Sequence, residues 1–281
     1  MPLISRLTIC FITILLGVSL LEGGVRLGAD RLFEHPYFGW IKGKRVGLIT
    51  NQTGVNSRLQ SLSDLLAGHQ NVELAALFGP EHGFSGTSQA GQKISSQGTV
   101  YSLYGTTRAP TESMLMNLDL LLFDLQDVGA RFYTYISTMF LSMQAASQRG
   151  IPFIVLDRPN PISGLSVEGP VLEAGFESFV GIYPLPVRYG LTSGELARML
   201  NVEANLSVDL RIVPVEGWNR DQWYDQLNLE WIPPSPNIPT LDTATVYPGT
   251  CLIEGTNLSE GRGTTRPFEL LGAPWLDAKK L

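Results

Sequence analysis

The sequence predicts an α/β fold built on a doubly wound, mostly parallel sheet. Four short and nearly continuous apolar runs are separated by segments with helical periodicity, and each run ends in a cluster of polar residues. Helices on both faces of a parallel sheet keep water away, so its buried strands appear as unbroken runs of Val, Ile, Leu and Phe. The runs are Val46–Thr50, Glu73–Gly79, Leu118–Leu125 and Ile151–Leu156.

Three helices follow from the residues between and after these runs. Ser57–His69 has leucines spaced to occupy one helical face, which predicts a crossover helix between the first two strands. Tyr135–Arg149 predicts a second helix, which Gly150 ends. Thr192 and Glu195 form a capping-box pattern at the start of a third helix. We therefore interpret Glu195 as a helix cap.

The composition of the chain changes after Asn205. Val208–Val215 predicts another strand, and the segment beyond it is rich in Trp, Pro, Gly and Asn, which indicates long ordered loops or a smaller domain. We expect a main domain over residues 25–205 and the start of a smaller C-terminal α+β domain over residues 206–281. Tryptophans beside a cleft can stack on sugars, but most belong to the core, so both roles stay open.

The first 24 residues predict an export signal. Arg6 precedes an apolar stretch, Leu7–Leu21, which is short for a membrane span of about 20 residues. We expect cleavage between about residues 17 and 25 and a periplasmic or extracellular location. The alternative is an uncleaved N-terminal anchor, which would be the only contact with a membrane.

Composition and charge exclude several classes of function. The 281-residue chain has a net charge of -6, whereas nucleic-acid binding requires a basic surface. Cys10 lies in the leader, so Cys251 would be alone in the mature chain. We expect no internal disulfide and no cysteine metal cluster.

The common cofactor motifs are missing from the sequence. Asn51–Gly54 stands where a dinucleotide fingerprint would follow the first strand, and there is no phosphate-binding loop or Gly-x-Ser-x-Gly nucleophile motif. His35, His69 and His82 form no His-Glu-x-x-His zinc motif. We expect no nucleotide cofactor and no metal. The remaining Glu, Asp, Asn, Arg and aromatic residues are typical of a carbohydrate site.

The polar clusters after the strands are the candidate site, because ligands bind outside the carboxyl ends of strands in doubly wound sheets. Glu81 and His82 lie between glycines directly after the second strand, where Glu81 is suited to general acid catalysis. A solvated loop carboxylate is the alternative. Glu168 follows the loop after the fourth strand, and its local motif is weak.

Three further loops contribute polar groups. Asp127 and Arg131 follow the third strand, where they can recognise a ligand or form a structural ion pair. Asp157 and Arg158 lie in a loop stiffened by two prolines, and rigid polar groups suit recognition of a hydroxylated ligand. The glycine-spaced loop at residues 254–263 is able to close over the crevice.

Seven motifs occur in the same order as in one known family. They are Leu48–Val55, Phe78–Phe84, Tyr101–Gly105, Phe123–Met139, Leu156–Pro161, Glu168–Pro170 and Glu254–Glu269. From about residue 25 to its end, the chain resembles the bacterial exo-β-N-acetylmuramidase family. The resemblance implies a glycoside hydrolase that releases N-acetylmuramic acid from the non-reducing ends of peptidoglycan fragments.

The same resemblance implies a Rossmann-like domain that binds no dinucleotide, followed by a smaller C-terminal domain. It maps the cleft glutamates of the family onto Glu81 and Glu168 as the catalytic pair. The expected partners are saccharides or muropeptides derived from peptidoglycan. The residues expected to contact them are His82, Asn51, Gln126, Asp127, Arg131, Tyr133, Asp157, Arg158, Asn160, Tyr189, Asn257, Glu260 and Arg262.

The chain departs from the family pattern at two places. Tyr189 stands where the family usually has His, so an imidazole role at this position must pass to the phenol or be lost. Family members usually continue well past Gly272–Trp275, so we expect an incomplete C-terminal domain.

The sequence does not decide between several mechanisms of glycoside hydrolysis. A separation of about 5–5.5 Å between the two carboxylates indicates hydrolysis with retention of the anomeric configuration, and about 6.5–9.5 Å indicates inversion. In a third route, the substrate's own acetamido carbonyl is the nucleophile. Arg131, Arg158 or Arg262 could pair with the lactyl carboxylate of muramic acid. The alternative function is an exported protein that binds cell-wall sugars or muropeptides without catalysis.

Overall fold

Six parallel strands form one sheet at the centre of the structure, a computed structural model that describes residues 24–84 and 99–280. The strands are β1 (Arg45–Thr50), β2 (Glu73–Gly79), β3 (Thr99–Ser102), β4 (Leu120–Asp124), β5 (Phe153–Leu156) and β6 (Leu210–Val213). Their spatial order is β3-β2-β1-β4-β5-β6, and every neighbouring pair is parallel. The predicted α/β fold with a doubly wound sheet is therefore confirmed.

Helices cover both faces of this sheet. They are α1 (Gly28–Arg31), α2 (Phe38–Ile41), α3 (Leu62–Ala67), α4 (Glu112–Leu115), α5 (Tyr135–Arg149), α6 (Ser193–Glu203) and α7 (Leu241–Thr250), with short 3-10 helices at Tyr224–Gln226 and Cys251–Gly255. In β4, Leu121 and Phe123 pack with α5 and α6, whereas Leu120 and Leu122 pack with α1, α2 and α3. Both faces of the strand are buried, which explains its unbroken apolar run.

Each apolar run of the sequence contains a strand, and Val208–Val215 contains β6. The strand β3 was not predicted. Its residues are exposed or half-buried at the edge of the sheet, so Thr99–Ser102 lacks the continuous apolar pattern of a central strand.

Two predicted helices have the terminal residues that the sequence indicated: α5 ends before Gly150, and α6 begins after Thr192. Gly150 ends α5 in the left-handed conformation with φ 69°. At the start of α6, the backbone N–H of Glu195 donates to Oγ1 of Thr192 at 3.2 Å, and the backbone N–H of Thr192 donates to Oε2 of Glu195 at 3.0 Å. The interpretation of Glu195 as a helix cap is confirmed.

The helix predicted over Ser57–His69 is shorter in the structure, where α3 covers only Leu62–Ala67. The side chain of Asn56 accepts hydrogen bonds from the backbone N–H groups of Arg58 at 3.0 Å and Gln60 at 2.9 Å. An Asn side chain that bonds nearby backbone competes with helix formation. These bonds hold a turn in place of the first predicted helical turn.

The segment after residue 205 begins inside the sheet. β6 pairs with β5 from Leu210 to Val213, so the expected domain boundary between residues 205 and 206 falls before a strand of the main sheet. The predicted export signal lies outside the described residues except for Gly24, and export stays a prediction. Across residues 24–84 and 99–280, none of the helices combines the length and the apolar character needed to cross a membrane.

Candidate active site

A cleft of about 760 Å³ lies at the carboxyl ends of the strands. Residues that follow β2, β3 and β4 line it, together with Phe179, Val180, Ser235, Asn237, Ile238 and residues from Tyr247 in α7 onwards. The sheet reverses its winding between β1 and β4, and ligand crevices of doubly wound sheets open near such a reversal. The cleft therefore lies at the sheet edge where the sequence predicted a site.

Glu81 enters this cleft from a tight turn after β2. His82 and Gly83 have positive φ values of 69° and 75°, and a Cβ atom on Gly79 would lie only 2.7 Å from the backbone nitrogen of Phe84. The glycines thus allow a close backbone path that a side chain would block. The turn presents both Glu81 and His82 to the cleft, with Nε2 of His82 4.0 Å from Oε1 of Glu81.

A hydroxyl group holds the Glu81 side chain, which is 25% exposed. Oγ1 of Thr134 donates to Oε2 of Glu81 at 2.8 Å. The nearby Tyr104 phenol interacts with this carboxylate, and that interaction, more than burial, raises the pKa of Tyr104. A hydroxyl can donate to an ionised carboxylate and accept from a protonated one. Thr134 can therefore stay hydrogen-bonded to Glu81 both before and after Glu81 gives up its proton as a general acid.

Aromatic rings give the cleft an apolar wall. The ring of Tyr247 packs edge to face against Tyr133 and Phe268, with centroid distances of 6.0 Å and 4.8 Å. Phe132 and Phe179 add further apolar surface. Within the described part of the chain, the residues lining this cleft include no tryptophan, so stacking on a sugar would fall to the Tyr and Phe rings.

Arg262, in the glycine-spaced loop, lines the cleft beside the ring of Phe268. Its Nη1 donates to Oε1 of Glu260 at 2.8 Å and also bonds Glu254. Two carboxylates therefore already balance this guanidinium. Asn257 is exposed and, like Glu260, lies outside the cleft lining. Substrate contacts by Asn257 and Glu260 stay predictions.

A buried acid holds the loop after β4. Oδ2 of Asp127 accepts hydrogen bonds from the backbone N–H of Gly129 at 2.7 Å and from the hydroxyl of Tyr189. Burial raises the pKa of Asp127 to about 6. The Tyr189 phenol thus fixes the loop that leads to Thr134.

Arg131, in the same loop, joins separate segments of the chain. Its Nη1 donates to the carbonyl of Pro170 at 2.8 Å and to that of Leu185, and its backbone N–H donates to the carbonyl of Val187 at 2.8 Å. Burial lowers the pKa of Arg131. The side chain acts as a clamp between the loop after β4 and residues 170–187.

The loop after β5 also uses its polar groups inside the protein. Asp157 accepts from the backbone N–H of Gly194 at 2.7 Å and from the hydroxyl of Thr192 at 2.9 Å, and burial raises its pKa to about 6. Asn160 donates from Nδ2 to the carbonyl of Leu191 at 3.0 Å. These bonds fix the loop to the start of α6.

Arg158, also in this loop, forms a buried ion pair. Its Nε donates to Oδ1 of Asp124 at 2.7 Å, and its Nη2 donates to the carbonyl of Val55 at 2.8 Å. Exposed fractions of 3% for Arg158 and 0% for Asp124 keep this pair away from water. It joins the ends of β4 and β5 to the loop after β1.

Asn51 and Gln126 follow β1 and β4 at the winding reversal of the sheet. Nδ2 of Asn51 donates to the hydroxyl of Tyr135 at 2.7 Å, and its Oδ1 accepts from the backbone and side chain of Thr53. Nε2 of Gln126 donates to the carbonyl of Pro159 at 3.1 Å. Both side chains therefore connect neighbouring loops.

Several predicted substrate contacts thus have polar groups bonded within the protein, and they do not line the cleft that contains Glu81. They are Asn51, Gln126, Asp127, Arg131, Asp157, Arg158, Asn160 and Tyr189. A substrate contact by these residues stays a prediction, and the structure gives them the role of fixing the loops. Of the predicted set, Glu81, His82, Tyr133 and Arg262 line the cleft together.

The second predicted catalytic residue, Glu168, lies outside the lining of this cleft. Its backbone pairs with that of Arg188, and Nη1 of Arg188 donates to its Oε2 at 3.0 Å. The Glu168 side chain is 64% exposed. The structure does not bring Glu168 and Glu81 into one described pocket, and the catalytic role of Glu168 stays a prediction.

Sequence reasoning missed several polar residues of the cleft, among them Tyr104, Arg108 and Thr134. Tyr104 and Arg108 follow β3, the strand that has no apolar run. The motif Tyr101–Gly105 was the available signal for Tyr104. Thr134 directly precedes α5. A threonine at this position is common at the start of a helix, so it gave no signal of a role in the site.

Comparison with known proteins identifies the family. The model of the N-terminal part of exo-beta-N-acetylmuramidase NamZ matches residues 46–242, and the model of its C-terminal part matches residues 245–281. The chain belongs to the NamZ family. The boundary between the two NamZ models lies after β6, in agreement with the position of β6 in the sheet.

Similar proteins cover most of this chain. The peptidoglycan beta-N-acetylmuramidase NamZ of Bacillus subtilis (strain 168) is 52% identical over 263 residues, which are 92% of this chain and 63% of that protein. Two crystal structures of DUF1343 family proteins from Bacteroides fragilis NCTC 9343 are also similar. The first has a TM-score of 0.86 at 47% identity and covers 91% of this chain and 67% of that one. The second has a TM-score of 0.79 at 37% identity, with coverages of 90% and 68%.

Asp127 makes the stability of this NamZ-family fold depend on pH. Its pKa of about 6 in the folded state exceeds the value of about 3.9 expected in the unfolded chain. The stabilisation from this group is therefore fully present below about pH 4 and is lost as the pH rises through about 6. We expect the free energy of unfolding of the wild type, relative to Asp127→Asn, to fall by on the order of 2 kcal/mol across this range.

Urea unfolding at several pH values between about 4 and 7 measures this difference. Asp221→Asn is the matched control, because Asp221 is exposed and its substitution should leave the profile parallel to that of the wild type. Parallel profiles for the wild type and Asp127→Asn would show that the Asp127 carboxyl titrates normally.

Proposed function

We propose that this chain is an exo-acting glycoside hydrolase that releases N-acetylmuramic acid from the non-reducing ends of peptidoglycan fragments. The observation that carries the proposal is the Glu81 carboxylate, held by Thr134 in a cleft at the carboxyl ends of the strands. The name of the B. subtilis relative, a peptidoglycan beta-N-acetylmuramidase, supports the same substrate.

In this mechanism Glu81 protonates the glycosidic oxygen as the bond to the leaving sugar breaks. A positioned general acid contributes about 10²–10⁴-fold to such a step. The Thr134 hydroxyl keeps the carboxyl oriented towards the substrate through the proton transfer. The adjacent rings of Tyr133 and Tyr247 provide an apolar surface against which the sugar can pack.

The second carboxylate of the proposal is Glu168, on the basis of the resemblance to the family. Glu168 lies outside the lining of the cleft that contains Glu81, and a wide separation of the two carboxylates favours activation of a water over direct attack on the anomeric carbon. A water-activating carboxylate gives inversion, whereas attack by a carboxylate or by the acetamido group gives retention. The anomer released first, observed by NMR, distinguishes these routes, and an initial β-anomer would exclude the water-activating role.

Turnover of a chromogenic β-glycoside of N-acetylmuramic acid tests the proposed function. We expect release of the chromophore by the wild-type chain. Binding of the sugar without any product would support the alternative of an exported cell-wall sugar-binding protein.

Export through residues 1–24 is part of the proposal, and a mature N-terminus between about residues 17 and 25, determined by mass spectrometry, would support it.

A further inference from the structure

One guanidinium lies on the same wall of the cleft as Glu81. Arg108 lines the cleft, and its Cζ atom lies 4.9 Å from the centroid of the Phe179 ring. The Phe179 ring is in turn 6.1 Å from that of Tyr104, and Tyr104 and Glu81 both line the cleft. The cleft that contains Glu81 therefore also contains a cation packed against aromatic rings.

The other candidate arginines already have partners. Arg131 is bonded to two carbonyls, Arg158 is paired with buried Asp124, and Arg262 bonds two glutamates. In residues 24–84 and 99–280, by contrast, no carboxylate forms an ion pair with Arg108. Residues 85–98 contain neither Asp nor Glu. Arg108 is thus the arginine of the cleft that offers its charge to a ligand.

We infer that Arg108 binds the lactyl carboxylate of a terminal N-acetylmuramic acid and so determines the specificity of the cleft, an inference that rests on the proposed function. A planar guanidinium donates two parallel hydrogen bonds to a carboxylate. N-acetylglucosamine lacks the lactyl group, so it leaves this guanidinium without a partner. The sequence had suggested Arg131, Arg158 or Arg262 for this role, but Arg131 and Arg158 are bonded within the protein and two glutamates balance the charge of Arg262.

Arg108 and Glu81 line the same cleft, as recognition and cleavage of one sugar ring require. Glu81 must reach the oxygen on C1, and the lactyl ether is attached to C3 of the same ring. The group that binds the lactyl carboxylate must therefore lie no farther from the proton donor than about the length of one sugar residue. Phe179 packs against Arg108 and beside Tyr104, and these rings offer apolar contact to the lactyl methyl group.

The test compares chromogenic β-glycosides of N-acetylmuramic acid and N-acetylglucosamine with the wild type and Arg108→Gln. We expect the ratio of kcat/KM for the two sugars to fall by about 10- to 100-fold in Arg108→Gln, because a lost hydrogen bond to a charged group has this effect. Arg108→Lys should give an intermediate ratio, since it keeps the charge and loses the paired geometry. Arg149→Gln is the matched control, because Arg149 lies at the end of α5 away from the cleft.

A direct binding measurement separates this inference from the proposed function. Calorimetric titration of the wild type and Arg108→Gln with free N-acetylmuramic acid reports recognition whether or not either glycoside is hydrolysed. An unchanged kcat/KM ratio, or equal affinity of the two proteins for N-acetylmuramic acid, would overturn the role of Arg108. If the wild type hydrolyses neither glycoside but loses affinity on Arg108→Gln substitution, the proposed catalysis fails and the recognition role stands.

Discussion

Glu81→Gln is expected to lower kcat for a disaccharide with terminal N-acetylmuramic acid by about 10²–10⁴-fold, the contribution of a positioned general acid. Glutamine has nearly the same shape and can still bond the Thr134 hydroxyl, but it has no proton to transfer. The fold should be preserved, because Glu81 is 25% exposed and belongs to a turn whose path is set by its glycines. Circular dichroism and urea unfolding check that the variant remains folded.

The leaving group makes this experiment diagnostic for the role of Glu81. A nitrophenyl leaving group departs with little help from an acid, whereas a sugar hydroxyl needs protonation. We expect Glu81→Gln to lose far more activity on the disaccharide than on the nitrophenyl glycoside. Equal losses on both substrates would assign Glu81 to attack or water activation, and near-normal activity on the disaccharide would remove it from the mechanism.

Two further variants serve as controls for this result. Glu173→Gln changes an exposed glutamate outside the cleft and should leave kcat unchanged. Thr134→Val removes the hydroxyl that donates to Glu81. If Thr134 positions the acid, its loss should lower kcat, with little change in KM, and alter the pH dependence of kcat.

The sequence predicted the central strands because burial on both faces produces a pattern that is visible without any tertiary information. β4 is an example, since Leu120–Asp124 is buried at every position. β3 was missed because an edge strand is half-exposed and has no such run. The shortened helix α3 depended on Asn56, whose side chain bonds the backbone and stops the helix from beginning at Ser57.

The location of the candidate site was also predictable, because it depends only on which residues follow the strands. The direction of each side chain was not. Asn51 and Gln126 follow strands at the winding reversal, but their amides bond other loops. Tyr104 and Arg108 reach the cleft because β3 pairs beside β2, a contact that no local pattern encodes.

The loops around the cleft therefore depend on a buried polar framework, and Arg158 is its most enclosed cation. The Asp124–Arg158 pair joins the ends of two strands, with Oδ1 of Asp124 2.7 Å from Nε of Arg158. The other carboxylate oxygen, Oδ2, has no hydrogen-bond partner among the described residues. Removing the guanidinium would leave a carboxylate that neither water nor another side chain can compensate.

Arg158→Met is therefore expected to lower the free energy of unfolding by about 3–5 kcal/mol at neutral pH, as for other broken buried ion pairs. Urea unfolding measures this loss, and Arg211→Met, which breaks the exposed pair with Asp209, should cost less than about 1 kcal/mol. Burial raises the pKa of Asp124, so in Arg158→Met this carboxyl can take up a proton and the deficit should shrink as the pH falls. The double variant Asp124→Asn/Arg158→Met should likewise recover part of the stability, because no charge is then left buried. A loss as small as that of Arg211→Met, independent of pH, would show that water reaches Asp124 and that the pair does not hold the loops.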